Sequence, residues 1–577
     1  MSVLALLVLA APARAADPIL PLADVHAGMR CTSLSVIRGV EPTAFDVEVL
    51  DVVEGDPASD GPRILVRVSG PAVDETGMGP GFSGSPIYCP SAEGVPANIG
   101  AISESIGEYG GEVVLATPIE AILGNPPDAP AQARSRPTTL RRARRLAEPL
   151  TFSGLSRPVG AALIRAAVRR GRTMVAAPSG PLAGFPPQVL RPGSAMGVGY
   201  SSGDVAIGAV GTVAYVDGDR VWSFGHELDA AGRRNLLLQD AWVYRVISNP
   251  NAAGDAGTTY KLAAASHTVG TLSNDALSAV VGRLGAIPRT VPVRVSARDE
   301  DTGRRQSVAA DVADETDIDD PLGSSLISLV GPLAVTQGAA GILKTSPGKV
   351  SGDMCARIAV RELPKRPLRF CNRYVGDGAS GGTESGLTNV LATAAGTDVA
   401  DALELIAAYT GRALHVESVE AGVRIRRGAD LAYMRDLRLP ARVRPGQRVQ
   451  AGLTVQRLRG PRERIRIPVT MPRDLEPGAR RISLRGADAD SADEGFFDAL
   501  TIDLGGDGAD APTQNESALD EGPQTLAALA EAVTDLERYD GVSLLVDRER
   551  GDGARVYRDP KVRLAGRVSA RVRVSAG

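Results

Sequence analysis

The segment richest in chemistry is Gly77-Met-Gly-Pro-Gly-Phe-Ser-Gly-Ser-Pro-Ile-Tyr88, followed by a return run, Gly100-Ala-Ile-Ser103. Its glycines let the backbone turn tightly, so that the N–H groups of Gly81 and Ser83 can converge on one point and bind a developing oxyanion. Ser83 presents its hydroxyl at the same point. The turn leads into a strand, unlike the Gly-x-Ser-x-Gly elbow that joins a strand to a helix. A serine hydroxyl is a weak nucleophile at neutral pH and requires a base within hydrogen-bond reach. The chain has four histidines, His26, His226, His267 and His415. His226, between Gly225 and Glu227 at the end of a strand, is the best placed; His26 lies near the N-terminus, and His267 and His415 sit in β-like contexts without a glycine-lined approach. No two histidines share a ligand spacing and no Cys-x-x-Cys or Cys-x-x-His occurs, so no metal and no other cofactor is expected.

These residues must be positioned by β-structure. Phe45-Asp-Val-Glu-Val-Leu50 and Ile64-Leu-Val-Arg-Val68 alternate as half-buried strands do, and residues 30–124 read as a small barrel or sandwich. The Pro-, Ala- and Arg-rich stretch from Asn125 to Gly154, with Arg141-Arg-Ala-Arg-Arg145, reads as a solvated linker. A helix is expected over Val159–Arg170. A second β-rich block runs from Gly193 to Thr345, where Asp217-Gly218 between two β-runs predicts a type I′ hairpin that leaves Phe224-Gly-His226 at the far end of a strand. Gly376–Gly382 reads as a hinge, Asp398–Tyr409 as a helix, and the evenly spaced runs after Val443 as a β-sandwich, with a further helix near Pro523–Arg538. The acidic loop Gly505–Asp510 matches one calcium-binding glycine-aspartate repeat, but such sites need stacked copies and a solvated loop is expected.

The chain is 577 residues long with a formal net charge of −4, which implies several domains and gives no reason to expect a nucleic-acid partner. Its first residues form a short apolar run ending in Pro12 and Ala13-Arg14-Ala15, which reads as a signal peptide over residues 1–15. No later stretch reaches the ~18 apolar residues of a transmembrane helix. Export, to the outside or the cell envelope, is expected. The four cysteines fit an oxidising compartment, and although three pairings are formally open, proximity in sequence favours Cys31 with Cys89 and Cys355 with Cys371.

Phe45–Leu50, Val66-Arg-Val-Ser-Gly-Pro71, Glu75-Thr-Gly77, Gly81-Phe-Ser-Gly-Ser-Pro-Ile87, Gly100–Ser103 and Ala116-Thr-Pro-Ile-Glu120 together resemble the peptidase domain of the SpoIVB-type sporulation signalling serine peptidases. Gly211-Thr-Val and Phe224-Gly-His226 resemble that family's Gly-Thr strand and Gly-His motif. The two blocks cover roughly a third of the chain, and their joint occurrence is more specific than either alone. The resemblance implies a chymotrypsin-like pair of β-barrels with the active site between them, Ser83 as nucleophile and His226 as general base. The order of the blocks is reversed relative to the family, as a circular permutation produces, which triad geometry tolerates. No PDZ domain is recognisable. At the position of the family's aspartate, before a proline, this chain has Gly70; Asp74 is the nearest substitute acid.

The expected fold is therefore mainly β: a signal peptide (1–15), a serine-block barrel (16–124), a linker and helix (125–192), a histidine-block barrel with an extension (193–375), a hinge and helical segment (376–435) and a β-sandwich-like C-terminal domain (436–577). The expected function is that of an exported serine endopeptidase acting on a protein or peptide, with the exposed segment Ala131–Arg145 a candidate self-cleavage site. The alternative is an inactive peptidase-like scaffold that binds envelope or extracellular partners, favoured by Gly70 and by the large C-terminal sandwich.

Overall fold

The computed structural model describes residues 16–54, 61–106, 110–129, 143–145, 150–169, 172–181, 183–248, 259–318, 326–343, 349–376, 390–428, 430–457, 460–486, 522–534, 536, 541–547, 554–558 and 562–575. The expected signal peptide, the Gly376–Gly382 hinge apart from its first residue, and the Gly505–Asp510 loop lie outside them. The protein is mainly β. The first six strands are β1 (Arg30–Val36), β2 (Pro42–Val53), β3 (Arg63–Ser69), β4 (Pro86–Pro90), β5 (Pro96–Ile106) and β6 (Val113–Pro118), followed by the short helix α1 (Ile119–Leu123). They pair in the order β1-β2-β3-β6-β5-β4, and β4 pairs back onto β1, closing a six-stranded barrel. Period-two alternation drives it: Phe45, Val47 and Val49 of β2 and Ile64, Val66 and Val68 of β3 turn inward into one core. The Cys31–Cys89 disulfide staples β1 to β4 at the closure.

A strand β7 (Ala143–Arg145) comes next, antiparallel to Glu104–Ile106 of β5. Part of the expected linker is thus a sheet strand, because the edge of β5 beyond the end of β4 offers open backbone groups. Then come β8 (Leu150–Ser153), α2 (Arg157–Arg169) and β9 (Met174–Ala176). The histidine block supplies β10 (Ala195–Gly203), β11 (Ala206–Asp217), β12 (Arg220–Ser223), β13 (Gly232–Ser248), β14 (Thr259–Ala276) and β15 (Ala279–Leu284). Their pairings run β10-β11-β12-β15-β14-β13 and return to β10, a second ring with the same strand order as the first. The expected hairpin is present, displaced by one residue: Asp217 pairs with Arg220, and of the two loop residues only Gly218 has positive φ, at 61°. A type I′ turn needs positive φ at both, so the turn is not of that type.

The sheet continues through β17 (Arg305–Ala313), β16 (Thr290–Asp299), β20 (Val416–Arg427), β18 (Val350–Val360) and β19 (Leu368–Gly376). Cys355 and Cys371 lie opposite each other on β18 and β19 and form the second disulfide. Helices α3 (Leu326–Leu343) and α4 (Val390–Ala407) cover this extension. The segment read as a hinge and helical region contains β20, which lies between β16 and β18, so it completes the sheet. Contrary to the sequence expectation, α3 is long and apolar enough to cross a membrane by length and composition, and 78% of that stretch is buried inside the protein. Its apolar run is interrupted by Gly331, Pro332, Thr336, Gln337 and Gly338, which hides it from a search for unbroken hydrophobicity.

The C-terminal strands are β21 (Leu431–Arg438), β22 (Arg442–Val443), β23 (Arg448–Arg457), β24 (Arg462–Thr470), β25 (Gly478–Arg485), β26 (Gly541–Val546), β27 (Ala554–Arg558), β28 (Arg563–Ala565) and β29 (Arg567–Val574), with helix α5 (Leu526–Thr534) before β26. They form a four-stranded and a five-stranded sheet around one shared core, the arrangement of a sandwich.

Candidate active site

The serine turn joins β3 to β4 and is wedged between the two rings. Gly81 and Gly84 have φ of 93° and 91°, a region that favours glycine. A Cβ on Gly84 would lie 1.9 Å from Thr212 O and 2.6 Å from Phe224 N, so only glycine lets the turn reach the second ring. Four successive carbonyls are held. Pro80 O accepts from Lys261 N–H at 2.9 Å, Gly81 O from the Thr212 hydroxyl at 2.9 Å, and Ser83 O from Thr212 N–H at 2.8 Å. Phe82 O accepts from Ser85 N–H at 3.0 Å and from the Ser85 hydroxyl at 2.6 Å.

In a trans peptide the C=O and the following N–H point in opposite directions. Fixing Pro80 O and Phe82 O therefore fixes the direction of the Gly81 and Ser83 N–H groups. Phe82 N–H is committed to Gly79 O and Gly84 N–H to Ile102 O. Among the described residues, the N–H groups of Gly81 and Ser83 make no hydrogen bond. The Ser83 hydroxyl is buried and likewise has no partner among them.

The histidine arrives from the second ring. After β12, Phe224 and Gly225 both take positive φ, 67° and 72°, and reverse the chain. For a buried phenylalanine that backbone conformation is strained. Gly211 leaves room for its ring, since a Cβ there would lie 2.2 Å from Phe224 Cε1. Gly225 packs against Ala101–Ser103 of β5, and its carbonyl accepts from the Thr117 hydroxyl at 2.6 Å. The serine turn and the His226 segment thus meet at one junction, Gly84 against Phe224. His226 is buried, and its Nδ1 lies 2.5 Å from Glu227 O. A carbonyl oxygen only accepts, so Nδ1 is the donor in that bond, the arrangement that the Nε2-base tautomer requires.

The turn beyond His226 is fixed by charge. Asp275, buried on β14, accepts from the N–H groups of Leu228, Asp229 and Ala231 at 2.7, 2.8 and 3.2 Å. Burial, with the negative charge of Asp229 second, pushes the Asp275 carboxyl up to about 6. Asp229 accepts from Arg172 at 2.7 Å and from the Tyr200 hydroxyl at 2.8 Å, and Arg234 grips Glu315 with two nitrogens.

Of the residues expected in the site, Gly81 and Ser83 lie on the turn whose Gly84 packs against Thr212 and Phe224, His226 follows Phe224 by two residues, and Asp74 lies on the exposed part of the loop. Asp74 is exposed, and its carboxylate accepts from Gly70 N–H at 2.6 Å, closing the turn that begins where the family's aspartate would stand. The histidine that does meet a buried aspartate is His267, whose Nδ1 lies 2.9 Å from Asp240 Oδ2. His415 bridges Glu362 and Asp317, which hold it protonated to higher pH, and His26 is exposed. Among the described residues no group of three or more His, Cys, Asp or Glu side chains is placed to hold a metal ion.

Lys261 was not singled out by sequence. It is buried at the start of β14, and its amine donates to Ser35 Oγ at 2.6 Å and to Thr212 Oγ1 at 3.1 Å, 4.4 Å from the centroid of the Phe82 ring. Burial pushes the amine down to about 7. Its one sequence signal is alternation, because Thr259, Lys261 and Ala263 share the inward face of a strand.

No family model, no curated protein and no solved structure matches the chain.

Proposed function

We propose that the chain is an exported serine endopeptidase of the kind its resemblance to the SpoIVB-type peptidases implies. The observation that carries this reading is the buried Ser83 hydroxyl, which has no hydrogen-bond partner among the described residues, beside the Gly81 and Ser83 N–H groups, which make none among them either, at the junction where the His226 segment packs. Ser83 Oγ attacks the peptide carbonyl carbon while His226 Nε2 takes the hydroxyl proton. The Gly81 and Ser83 N–H groups stabilise the oxyanion that forms. His226 then returns the proton to the leaving amine, leaving an ester on Ser83 that water hydrolyses by the same route. The Glu227 carbonyl stands in for the aspartate in holding Nδ1–H. A carbonyl that accepts from Nδ1–H orients the imidazole as the acid of a triad does. Ser83 and His226 are both enclosed, so substrate entry requires the junction to open.

Two rings of identical strand order support the chymotrypsin-like pair of barrels, and two disulfides support an oxidising, extracellular or envelope location. The second reading, a peptidase-like scaffold, is favoured by Gly70 at the position of the family's aspartate and by the large C-terminal sandwich. A fluorophosphonate probe separates the two. Labelling that disappears in Ser83→Ala and falls steeply in His226→Gln supports the enzyme, and an unlabelled wild type supports the scaffold.

A further inference from the structure

Three consecutive carbonyls of the serine turn trace back to one residue, one through its backbone and two through its side chain. The backbone N–H of Lys261 holds Pro80 O at 2.9 Å. Its amine donates to Thr212 Oγ1 at 3.1 Å, and that hydroxyl holds Gly81 O at 2.9 Å. The amine also donates to Ser35 Oγ at 2.6 Å, which meets Ser85 Oγ at 2.9 Å, the hydroxyl that holds Phe82 O. The aliphatic stem closes the space above Gly81, where a Cβ would lie 2.8 Å from Lys261 Cβ. Lys261 comes from the second ring and Ser35 from the first, so the amine also bridges the barrels.

We propose that Lys261 is a positioning residue of the serine site, fixing the Pro80–Ser83 peptide groups so that the Gly81 and Ser83 N–H groups converge on the oxyanion. This rests on the peptidase reading. A buried amine is an expensive way to hold a turn, and among the described residues no carboxylate pairs with it. Methionine would fill the same space without that cost, and the Ser35 and Thr212 hydroxyls, 3.2 Å apart, can bond each other once the amine is gone. A lysine kept there for stability alone would lower the melting temperature when replaced. A lysine kept for positioning lowers reactivity while stability holds or rises.

The test compares wild type with Lys261→Met in three measurements on the full chain: melting temperature, the rate constant for fluorophosphonate labelling, and hydrogen exchange at the Phe82, Gly84 and Ser85 amides. The expected result is an unchanged or higher melting temperature, labelling at least ~10-fold slower, in line with the loss of an oxyanion-hole arrangement, and faster exchange confined to the turn. Unchanged labelling and exchange, or a lower melting temperature with labelling intact, overturns the proposal. Should Lys261→Met not fold, Thr212→Val removes the arm to Gly81 O, and labelling at the wild-type rate then overturns it. An unlabelled wild type sinks the peptidase reading instead, and amide exchange still decides whether Lys261 holds the turn.

Discussion

The turn that carries Ser83 is held by hydroxyls and one amine, whereas the turn that carries His226 is held by carboxylates and guanidinium groups. Both sit at the same junction and both are buried, yet their chemistry differs. On the serine side Lys261 is destabilised in its charged form by burial; on the histidine side Asp275 is destabilised in its charged form by burial and by Asp229. One group is a base and the other an acid, so the two halves respond to pH in opposite directions. The serine turn, with little fixed charge around it, leaves the N–H groups of Gly81 and Ser83 without a hydrogen bond among the described residues. The histidine turn spends its N–H groups on Asp275 and thereby locks the backbone that aims the imidazole.

The largest effect is expected at Gly84, where the two halves touch. Gly84→Ala places a methyl against Thr212 O and Phe224 N at a φ of 91°, and a cost above about 5 kcal/mol is expected, with loss of the cooperative melt. A variant that melts like wild type would show that the turn is not wedged there.

The next effect is the alkaline limb of stability. Lys261 titrates near 7 when folded and near 10.5 when unfolded, so between those values the unfolded chain holds a proton that the folded chain lacks. Stability then rises with pH across that window, by up to about 5 kcal/mol at 1.36 kcal/mol per pH unit. Chemical denaturation of Lys261→Met is expected to lack this rise. Asp275 produces a smaller acid limb of the opposite slope. Between 3.8 and about 6 the folded chain holds a proton that the unfolded chain has released, so stability falls as pH rises. Asp275→Asn should flatten that limb alone. If one substitution flattened both limbs, the two halves would not be separate titrating units.

The smallest effect is expected at Asp74. Asp74→Ala removes one exposed hydrogen bond, worth about 1 kcal/mol or less, and should leave probe labelling within twofold of wild type. Labelling that collapses while the melt is unchanged would restore Asp74 as the acid and remove the role given to the Glu227 carbonyl.

Much of the site was legible because it depends on residues with no substitute. Gly81 and Gly84 announce the tight turn, and Phe224-Gly-His226 announces the strand end, since each needs a backbone conformation that sequence encodes. The Glu227 carbonyl was not legible, because a backbone acceptor has no residue type. Lys261 was visible only as a charged residue on the inward face of an apolar strand, a signal that competes with many exposed lysines. The first barrel followed from alternation in β2 and β3. The extension did not, because β20 pairs in parallel with β16, far away in sequence, and no local pattern specifies such a partner. Helix α3 escaped because Pro332 and its small neighbours break the hydrophobic run, while burial against β16, β17 and β20 supplies the stability that propensity does not.

The most direct measurement is a peptide-level mass map of wild-type protein after fluorophosphonate treatment at neutral pH. A single adduct on Ser83 is expected in wild type, lost when His226 is replaced by glutamine. An adduct on another serine, or none on a folded protein, contradicts the peptidase reading.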